Sequence, residues 1–149
     1  MKNKFSLHES CIKNLETLAL SGNPLSKQLI LAVKEFIQYS PIDFGIIGNG
    51  GYRTAEQQNA IYNQSPSVTK CDGYTLKSFH QSGLAVDLVP WVDGKYTWDE
   101  KHATALSFSF LTFCNVFDFN VRSGGDWNED GNLDEAFYDP CHFEIREQL

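Results

Sequence analysis

The sequence predicts a single α+β domain in which a small antiparallel sheet is flanked by helices. Its 149 residues fit one domain, and its hydrophobic residues are sufficient for one core. Apolar residues recur at helical spacing within the first forty positions, and short strand-like apolar segments alternate with further helices after them. Helices followed by a mixture of strands and helices are typical of the α+β class.

Two helices and a strand are predicted at the start of the chain. The first helix covers residues 9–19, with its apolar residues on one face, and the turn-forming residues 21–24 end it. The second covers residues 25–39 and ends at a Ser-Pro pair. Residues 43–48 then predict a short buried strand.

The middle of the chain predicts a helix, a long loop and two segments of strand. Residues 54–63 begin with the Thr-x-x-Gln pattern of a capping box and are expected to form a helix. The polar residues 64–77 predict a surface loop. Residues 83–89 are apolar except for Asp87 and predict a strand, and residues 91–98 predict a hairpin around Asp-Gly.

A long helix, a second polar loop and a final strand are predicted at the C-terminal end. Alanine, leucine and phenylalanine recur at helical spacing over residues 103–117. Residues 124–135 are rich in Gly, Asp and Asn and predict a loop. Residues 142–145 then predict the last strand, and we expect any metal site to lie on the sheet that contains it.

Composition and charge exclude several classes of function. The net charge is -7 and there is no basic run, so nucleic acid is not expected as a partner. No segment has the roughly 20 apolar residues needed to cross a membrane, and no signal peptide is recognisable, so synthesis into the cytoplasm is expected. The four cysteines contain no CxxC pair and are expected to be free thiols, although one disulfide remains an alternative.

The first candidate ligands lie in the segment Ser-Phe-His-Gln-Ser-Gly-Leu-Ala-Val-Asp, residues 78–87. It places the imidazole of His80 and the carboxylate of Asp87 on either side of a glycine. A carboxylate in an apolar strand is costly unless it is paired or bound to a metal. Taken alone, the segment fits a structural ion pair as well as a metal site.

The second candidate segment supplies His142, with Asp139 three residues before it. A single histidine on a strand is more often a hydrogen-bonded surface residue, so the prediction depends on both segments together. Two imidazoles and one carboxylate form the three-residue ligand set of a catalytic zinc, which keeps a fourth position for water. Asp139 is then available as the general base of a metallopeptidase.

Several segments match one family in the same order along the chain: residues 40–44, 52–54, 78–87, 92–95 with Trp98, 124–128, and Asp139 with His142. On these residues the chain resembles the zinc D-Ala-D-Ala carboxypeptidase and phage L-alanyl-D-glutamate peptidase family. Within it, the chain is most similar to the single-domain endolysins of tailed phages that infect Gram-negative bacteria. The similarity covers most of the chain from Ser40 onward.

The resemblance implies that His80, Asp87 and His142 bind zinc. It implies that Asp139 deprotonates the attacking water and later protonates the leaving amine, although some members of the wider family have Glu at this position. Arg53 matches an arginine that holds the scissile carbonyl oxygen and the anionic intermediate; a surface salt bridge is the alternative. Ser78 matches a substrate-binding position, and a turn hydroxyl is the alternative.

Residues 126–135, called the acidic loop below, contain a second metal pattern. Oxygen-bearing side chains alternate and a glycine follows, as in the first half of a calcium loop. Phe137 stands where a complete EF-hand has its bidentate Glu. The resemblance implies regulatory calcium binding here, which could position Asp139; an ordinary Asn/Asp/Gly turn is the alternative. The possible calcium ligands are Asp126, Asn128, Asp130, Asn132 and Asp134.

The expected activity is therefore zinc-dependent hydrolysis of the L-alanyl-D-glutamate bond in the peptidoglycan stem peptide, causing host cell lysis. Residues 1–149 are expected to form one peptidase catalytic domain without a separate wall-binding domain, and a monomer that does not insert into membranes. It would wait in the host cytoplasm until a holin releases it to the periplasm and cell wall. The alternatives are a D-Ala-D-Ala carboxypeptidase, a non-catalytic zinc and calcium module of the same fold, and a virion-associated wall-piercing protein.

Overall fold

The computed structural model describes residues 5–64, 68–132 and 134–148. Residues 65–67 and 133, which fall in the two predicted polar loops, lie outside the described residues. The α+β prediction is confirmed: helices flank small antiparallel sheets. Among the described residues, no helix is both long enough and apolar enough to span a bilayer. All four cysteines are free thiols.

Within the described residues, four α-helices and two 3₁₀ turns form the helical part of the fold. The first helix is shorter than predicted because its last turn continues as a 3₁₀ turn, Thr17–Ser21, which ends at Gly22 in the left-handed conformation. The second 3₁₀ turn, Phe79–Ser82, contains His80. The α-helices are α1 (Glu9–Glu16), α2 (Pro24–Phe36), α3 (Ala55–Tyr62) and α4 (Glu100–Val116).

Local capping signals explain where the α-helices begin. Asn23 accepts a hydrogen bond from a backbone N–H of the first turn of α2, which has proline at its first position. Thr54 and Gln57 form the predicted capping box at the start of α3. Asp99 caps α4 by accepting the backbone N–H of His102 at 3.2 Å.

In the part of the chain that the structure describes, six short strands form two three-stranded antiparallel sheets. The strands are β1 (Phe44–Gly45), β2 (Ala85–Asp87), β3 (Val89–Val92), β4 (Lys95–Tyr96), β5 (Val121–Gly124) and β6 (Asp139–Ile145). The first sheet has the order β1-β3-β4 and the second has the order β2-β6-β5. The second sheet contains two of the three candidate zinc ligands.

The strand expected over residues 83–89 is divided between the two sheets. β2 pairs with β6, whereas β3 pairs with β1. Leu88 joins them; it is fully buried and its N–H donates to the carbonyl of Cys141 at 2.9 Å. The apolar pattern predicts extended structure here, but it contains no information about which neighbour each half pairs with.

Three further strands differ from the sequence prediction. β1 is shorter than the segment of residues 43–48 that was expected. β5 was not predicted, because its four residues include Arg122 and Ser123 and run directly into Gly-Gly. The last strand begins at Asp139 rather than at His142, so the whole Asp-Pro-Cys-His segment is extended. His142 therefore lies in the middle of β6.

The core lies between α2, α4 and the second sheet. Phe36 of α2 packs against Phe110 of α4 with ring centroids 5.0 Å apart. Phe110 in turn meets Phe143 of β6 edge to face at 4.9 Å. All three rings are almost completely buried. Phe143 points into the core, so its neighbours His142 and Glu144 point to the opposite face of β6.

Candidate metal centre

His80, Asp87 and His142 come together in the folded chain. Nε2 of His80, Nδ1 of His142 and Oδ1 of Asp87 form a nearly equilateral triangle. The His80–His142 edge is 3.2 Å, and each of the two edges to Asp87 is 3.3 Å. They form a group of three potential metal ligands, and it is the one such group found among the described residues.

The triangle has the dimensions that a zinc ion requires. Ligand atoms about 2.0–2.1 Å from a tetrahedral zinc lie about 3.3–3.4 Å from one another, and nitrogen and carboxylate oxygen are usual zinc ligands. The observed edges agree with this value. The donor set and its spacing therefore fit zinc, with three protein ligands and one open corner.

Local structure places each ligand in this triangle. His80 lies on the 3₁₀ turn that Ser78 caps, because the Ser78 hydroxyl accepts the His80 N–H at 3.3 Å. Gly83 ends that turn at φ 67°, a conformation that favours glycine. Asp87 and His142 are direct partners across the β2–β6 pair. Cross-strand partners point to the same face, so both side chains reach His80.

A second contact orients each ligand. Nδ1–H of His80 donates to the carbonyl of Gly51 at 2.8 Å, which leaves the lone pair on Nε2 facing the triangle. Nε2–H of His142 donates to Glu144 at 3.0 Å, which directs Nδ1 into the triangle. Oδ2 of Asp87 accepts from Arg53 at 2.9 Å. Such outer partners fix ring tautomer and ligand direction in metal sites.

The turn at residues 49–53 holds the His80 and Asp87 side of the site. The Asp87 N–H donates to the Gly50 carbonyl at 2.8 Å, and the Arg53 N–H donates to the His80 carbonyl at 3.2 Å. With the His80 ring on the Gly51 carbonyl, three consecutive peptide units contact the site. Two ligands are thus positioned by backbone groups of one turn.

The guanidinium of Arg53 is largely engaged inside the protein. Nε donates to the Asn49 carbonyl at 2.7 Å, Nη1 to Gln58 at 3.1 Å and Nη2 to Asp87 at 2.9 Å. Its side chain is only 12% exposed. The surface salt bridge considered as an alternative is therefore not what the structure contains: the pair with Asp87 is largely buried.

Asp139 lies at the first position of β6, half-buried and beside the site. β5 approaches it closely, because Gly124 pairs with Asp139 and a side chain on Gly124 would collide with the Asp139 backbone. Burial raises the pKa of Asp139, and the neighbouring charge of Asp87 raises it further, while His142 and Arg53 act in the opposite direction. A carboxyl group with a raised pKa is better suited to exchange protons.

The pKa values of the three ligands are shifted in different directions. Burial lowers the pKa of His80, which favours its neutral form. Burial also opposes charge on His142, but its hydrogen bonds to Asp87 and Glu144 prevail and raise its pKa to about 9. Burial opposes ionisation of Asp87, yet the two histidines hold its pKa well below its usual range. Below a pH of about 9, His142 is therefore expected to carry a proton in the metal-free chain, and zinc would displace it.

Comparison with known proteins shows the family of the chain. The family model described as phage L-alanyl-D-glutamate peptidase matches residues 5–146, nearly the whole chain. The chain belongs to this family. The L-alanyl-D-glutamate peptidase of Escherichia phage T5 is 28% identical over 138 residues, which cover 89% of this chain and 95% of that protein.

A solved structure supports the fold of this phage peptidase family member. The L-Ala D-Glu endopeptidase ChiX of Serratia marcescens superposes with a TM-score of 0.70, over 96% of this chain and 92% of ChiX. Its sequence identity is 20%, so the likeness concerns the fold. The predicted family and fold class are both confirmed.

The acidic loop of this family member is arranged differently from the triangle of His80, Asp87 and His142. Both carboxylate oxygens of Asp126 accept backbone N–H groups, from Asp130 at 3.1 Å and Gly131 at 3.0 Å. Oδ1 of Asp130 accepts the N–H of Asn132 at 2.8 Å. Asn128, Asp130, Asn132 and Asp134 are exposed. These side chains stabilise turns within the loop, and the calcium prediction remains a prediction.

Sequence reasoning missed Arg122. Its Nη2 donates to Oε2 of Glu144 at 2.6 Å, and Glu144 holds His142. Because β5 was not predicted, nothing in the sequence placed Arg122 opposite Glu144. The alternation of Val121, Arg122 and Ser123 is too short to stand out as a strand.

Proposed function

We propose that the chain is a zinc-dependent peptidoglycan endopeptidase that hydrolyses the L-alanyl-D-glutamate bond of the stem peptide. The observation that carries the proposal is the triangle of His80, Asp87 and His142, whose edges match a tetrahedral zinc with one open corner. Membership of the phage L-alanyl-D-glutamate peptidase family supports the choice of bond. As a member of this family, the chain is a peptidoglycan hydrolase.

Asp139 is proposed to transfer a proton from the attacking water to the leaving amine. A bound zinc polarises the scissile carbonyl and lowers the pKa of the attacking water to about 7. The Asp139 carboxylate would accept the proton of that water and deliver it to the leaving amine of D-Glu. Its half-buried position at the start of β6 and its raised pKa support this role.

Arg53 is proposed to have two tasks. It holds Oδ2 of Asp87, so that Oδ1 remains directed into the triangle. An arginine has five N–H donors, and three of those on Arg53 are used by Asn49, Gln58 and Asp87. One N–H on each terminal nitrogen remains for the carbonyl oxygen of the substrate and the negative charge that develops on it.

Ser78 is proposed to act first through His80. Its hydroxyl accepts the His80 N–H and so fixes the turn that carries the ligand. A contact between Ser78 and substrate was also expected, and a Ser78→Ala variant separates the two: a loss of zinc affinity indicates the turn, and a raised KM at unchanged zinc affinity indicates the substrate.

Calcium binding by the acidic loop is proposed as a secondary property. Alternating oxygen side chains at Asp126, Asn128, Asp130, Asn132 and Asp134 are its support. Added calcium would have to replace the hydrogen bonds that Asp126 and Asp130 now accept within the loop. Calcium is expected to raise the Tm of the chain, and an unchanged Tm with calcium would remove the proposal.

The proposed partner is the stem peptide of peptidoglycan, and the place of action is the cell wall. We further propose that the chain is a monomer. A holin would release it from the host cytoplasm, and it would act in the periplasm. Light scattering of the purified chain tests the monomer, and lysis that depends on co-expressed holin tests the route.

Identification of the cleaved bond tests the activity. The purified, zinc-loaded chain is incubated with peptidoglycan sacculi and the products are analysed by mass spectrometry. New amino-terminal D-Glu is expected. Free D-Ala would instead indicate a D-Ala-D-Ala carboxypeptidase. No product from a chain that holds one zinc would indicate a non-catalytic metal module.

A further inference from the structure

A second arginine, Arg122, is linked to the candidate zinc site through one intervening side chain, that of Glu144. Nη2 of Arg122 donates to Oε2 of Glu144 at 2.6 Å, and Oε1 of Glu144 accepts Nε2–H of His142 at 3.0 Å. The other nitrogen of that ring, Nδ1, belongs to the ligand triangle. An unbroken chain of side-chain hydrogen bonds therefore runs from Arg122 to the metal ligand.

Sheet geometry produces this alignment. Arg122 and Glu144 are direct cross-strand partners in the β5–β6 pair. Glu144 follows His142 by two positions, so both point to the same face of β6. The three side chains consequently form a row on the side of the sheet that faces the site.

Glu144 determines which nitrogen of His142 is available. A neutral imidazole has one protonated nitrogen and one with a lone pair, and a metal binds the lone pair. An ionised carboxylate is only an acceptor, so Glu144 requires the proton of His142 to sit on Nε2. The lone pair is then on Nδ1, toward Asp87 and His80.

Arg122 holds Glu144 in place through the 2.6 Å hydrogen bond between them. Glu144 is only 6% exposed, and a buried carboxylate is costly without a charged partner. Arg122 is itself restrained, because its guanidinium lies 5.4 Å from the ring centre of Trp127. The Trp127 ring is 5.5 Å from the His142 ring, which closes a circle of four contacting side chains.

We propose that Arg122 and Glu144 are positioning residues that hold Nδ1 of His142 toward the zinc. This inference rests on the proposed zinc site. Each arginine then serves one ligand: Arg53 contacts Asp87 directly, and Arg122 acts on His142 through Glu144. Neither Arg122 nor Glu144 touches the reacting atoms in this scheme.

Zinc affinity of the full-length chain tests the proposal, measured by competition with a chromophoric chelator. In Glu144→Gln, one side of the amide must face His142 or Arg122 with the wrong polarity, so one of the two hydrogen bonds is lost. In Arg122→Lys, the charge remains but the planar fork is lost. Glu144→Gln is expected to weaken zinc binding about 10–100-fold, and Arg122→Lys by a smaller factor.

A second readout reports on the ring itself. Long-range ¹H–¹⁵N spectra of the zinc-loaded chain are expected to show His142 protonated on Nε2 and metal-bound through Nδ1. In Glu144→Gln, this signal is expected to broaden or to divide between two ring states. A residue with only a general structural role would not change the ring tautomer.

A matched control is present in the same part of the fold. Arg146 and Glu129 form an ion pair of the same length, 2.6 Å, but neither contacts a ligand in the described part of the chain. Glu129→Gln and Arg146→Lys are expected to leave zinc affinity within about twofold of the unmodified chain, because they lack the link to His142.

The possible outcomes are distinct. If the unmodified chain does not bind zinc at His142, the proposed function fails. If it binds zinc but Glu144→Gln binds equally well and shows the same ring signal, this inference is overturned. Equal losses in the Glu129→Gln control would also overturn it. If Glu144→Gln does not fold, Glu144→Asp and Arg122→Lys are measured instead, with the same criteria.

Discussion

The triangle of His80, Asp87 and His142 and the acidic loop both have the side chains of a metal site, but the two are organised differently. In the triangle, ligand atoms from three segments face one another and each ligand has a separate partner behind it. In the acidic loop, Asp126 and Asp130 direct their oxygens to N–H groups of the same loop.

The difference shows what a metal site needs beyond suitable residue types. Asp126 is as buried as His142, but the carboxylates of Asp126 and Asp130 accept N–H groups a few residues along the same loop. The inner ring nitrogens of His80 and His142 instead face the other ligands of the triangle. They are directed at one point because Gly51 and Glu144 accept the N–H on the other side of each ring. Converging ligand atoms from distant segments are the better sign of a metal.

The largest effect is expected from Asp139→Asn, which separates catalytic activity from zinc binding. Asp139→Asn removes the proton acceptor but no ligand, so activity on peptidoglycan should fall about 10²–10⁴-fold while zinc affinity stays within about twofold. Turnover and chelator competition measure the two. Activity near that of the unmodified chain would show that Asp139 is not the base.

Arg53→Lys tests whether outer partners matter for the triangle. Lysine keeps the charge but loses the fork that joins Asn49, Gln58 and Asp87. Zinc affinity is expected to weaken about 10–100-fold, with a further loss in kcat from the missing contact to the carbonyl oxygen. Unchanged zinc affinity with reduced kcat would assign Arg53 to the substrate alone.

Zinc affinity should depend on pH because of His142. In the metal-free chain its pKa is raised to about 9, so zinc must displace a proton below that pH. The Kd for zinc is expected to fall about tenfold per pH unit between pH 7 and about 9, and to level off above. A pH-independent Kd would contradict the protonated triangle.

The raised pKa of His142 also predicts how the stability of the metal-free chain changes with pH. The pKa of His142 is raised from 6.5 to about 9, so protonated His142 contributes stability that is fully present below pH 6.5. That contribution is lost as the pH rises through about 9. Urea unfolding of metal-free chain at several pH values measures it.

The smallest effect is expected in the acidic loop. Asp126→Ala removes two turn hydrogen bonds, so the Tm should fall by about 2–4 °C, as for the loss of a helix cap. Zinc affinity should not change, because Asp126 contacts no ligand among the residues described. A large loss of zinc would show that the loop and the triangle are one unit.

Sequence patterns and the family resemblance were sufficient to predict the three side chains that the fold brings together. His80, Asp87 and His142 converge as expected, the role of Asp139 stays a prediction, and the α+β class followed from periodicity. These features are local, or are separated along the chain by fixed distances. The predicted capping box at Thr54 is local in the same sense.

The missing parts depend on pairing between distant segments. The division of residues 83–89 at Leu88 follows from partners in two different sheets. The link from Arg122 to Glu144 exists only because β5 lies beside β6. The role of Arg53 as the partner of Asp87 likewise depends on the turn at residues 49–53. None of these contacts is encoded in a local pattern.

The position of the metal tests the central claim most directly. A zinc-edge anomalous scattering map from crystals of the zinc-loaded chain should show one peak about 2.0–2.1 Å from Nε2 of His80, Nδ1 of His142 and Oδ1 of Asp87. A peak bound by the acidic loop, or by Nε2 of His142, would contradict the account, as would the absence of any peak within this triangle.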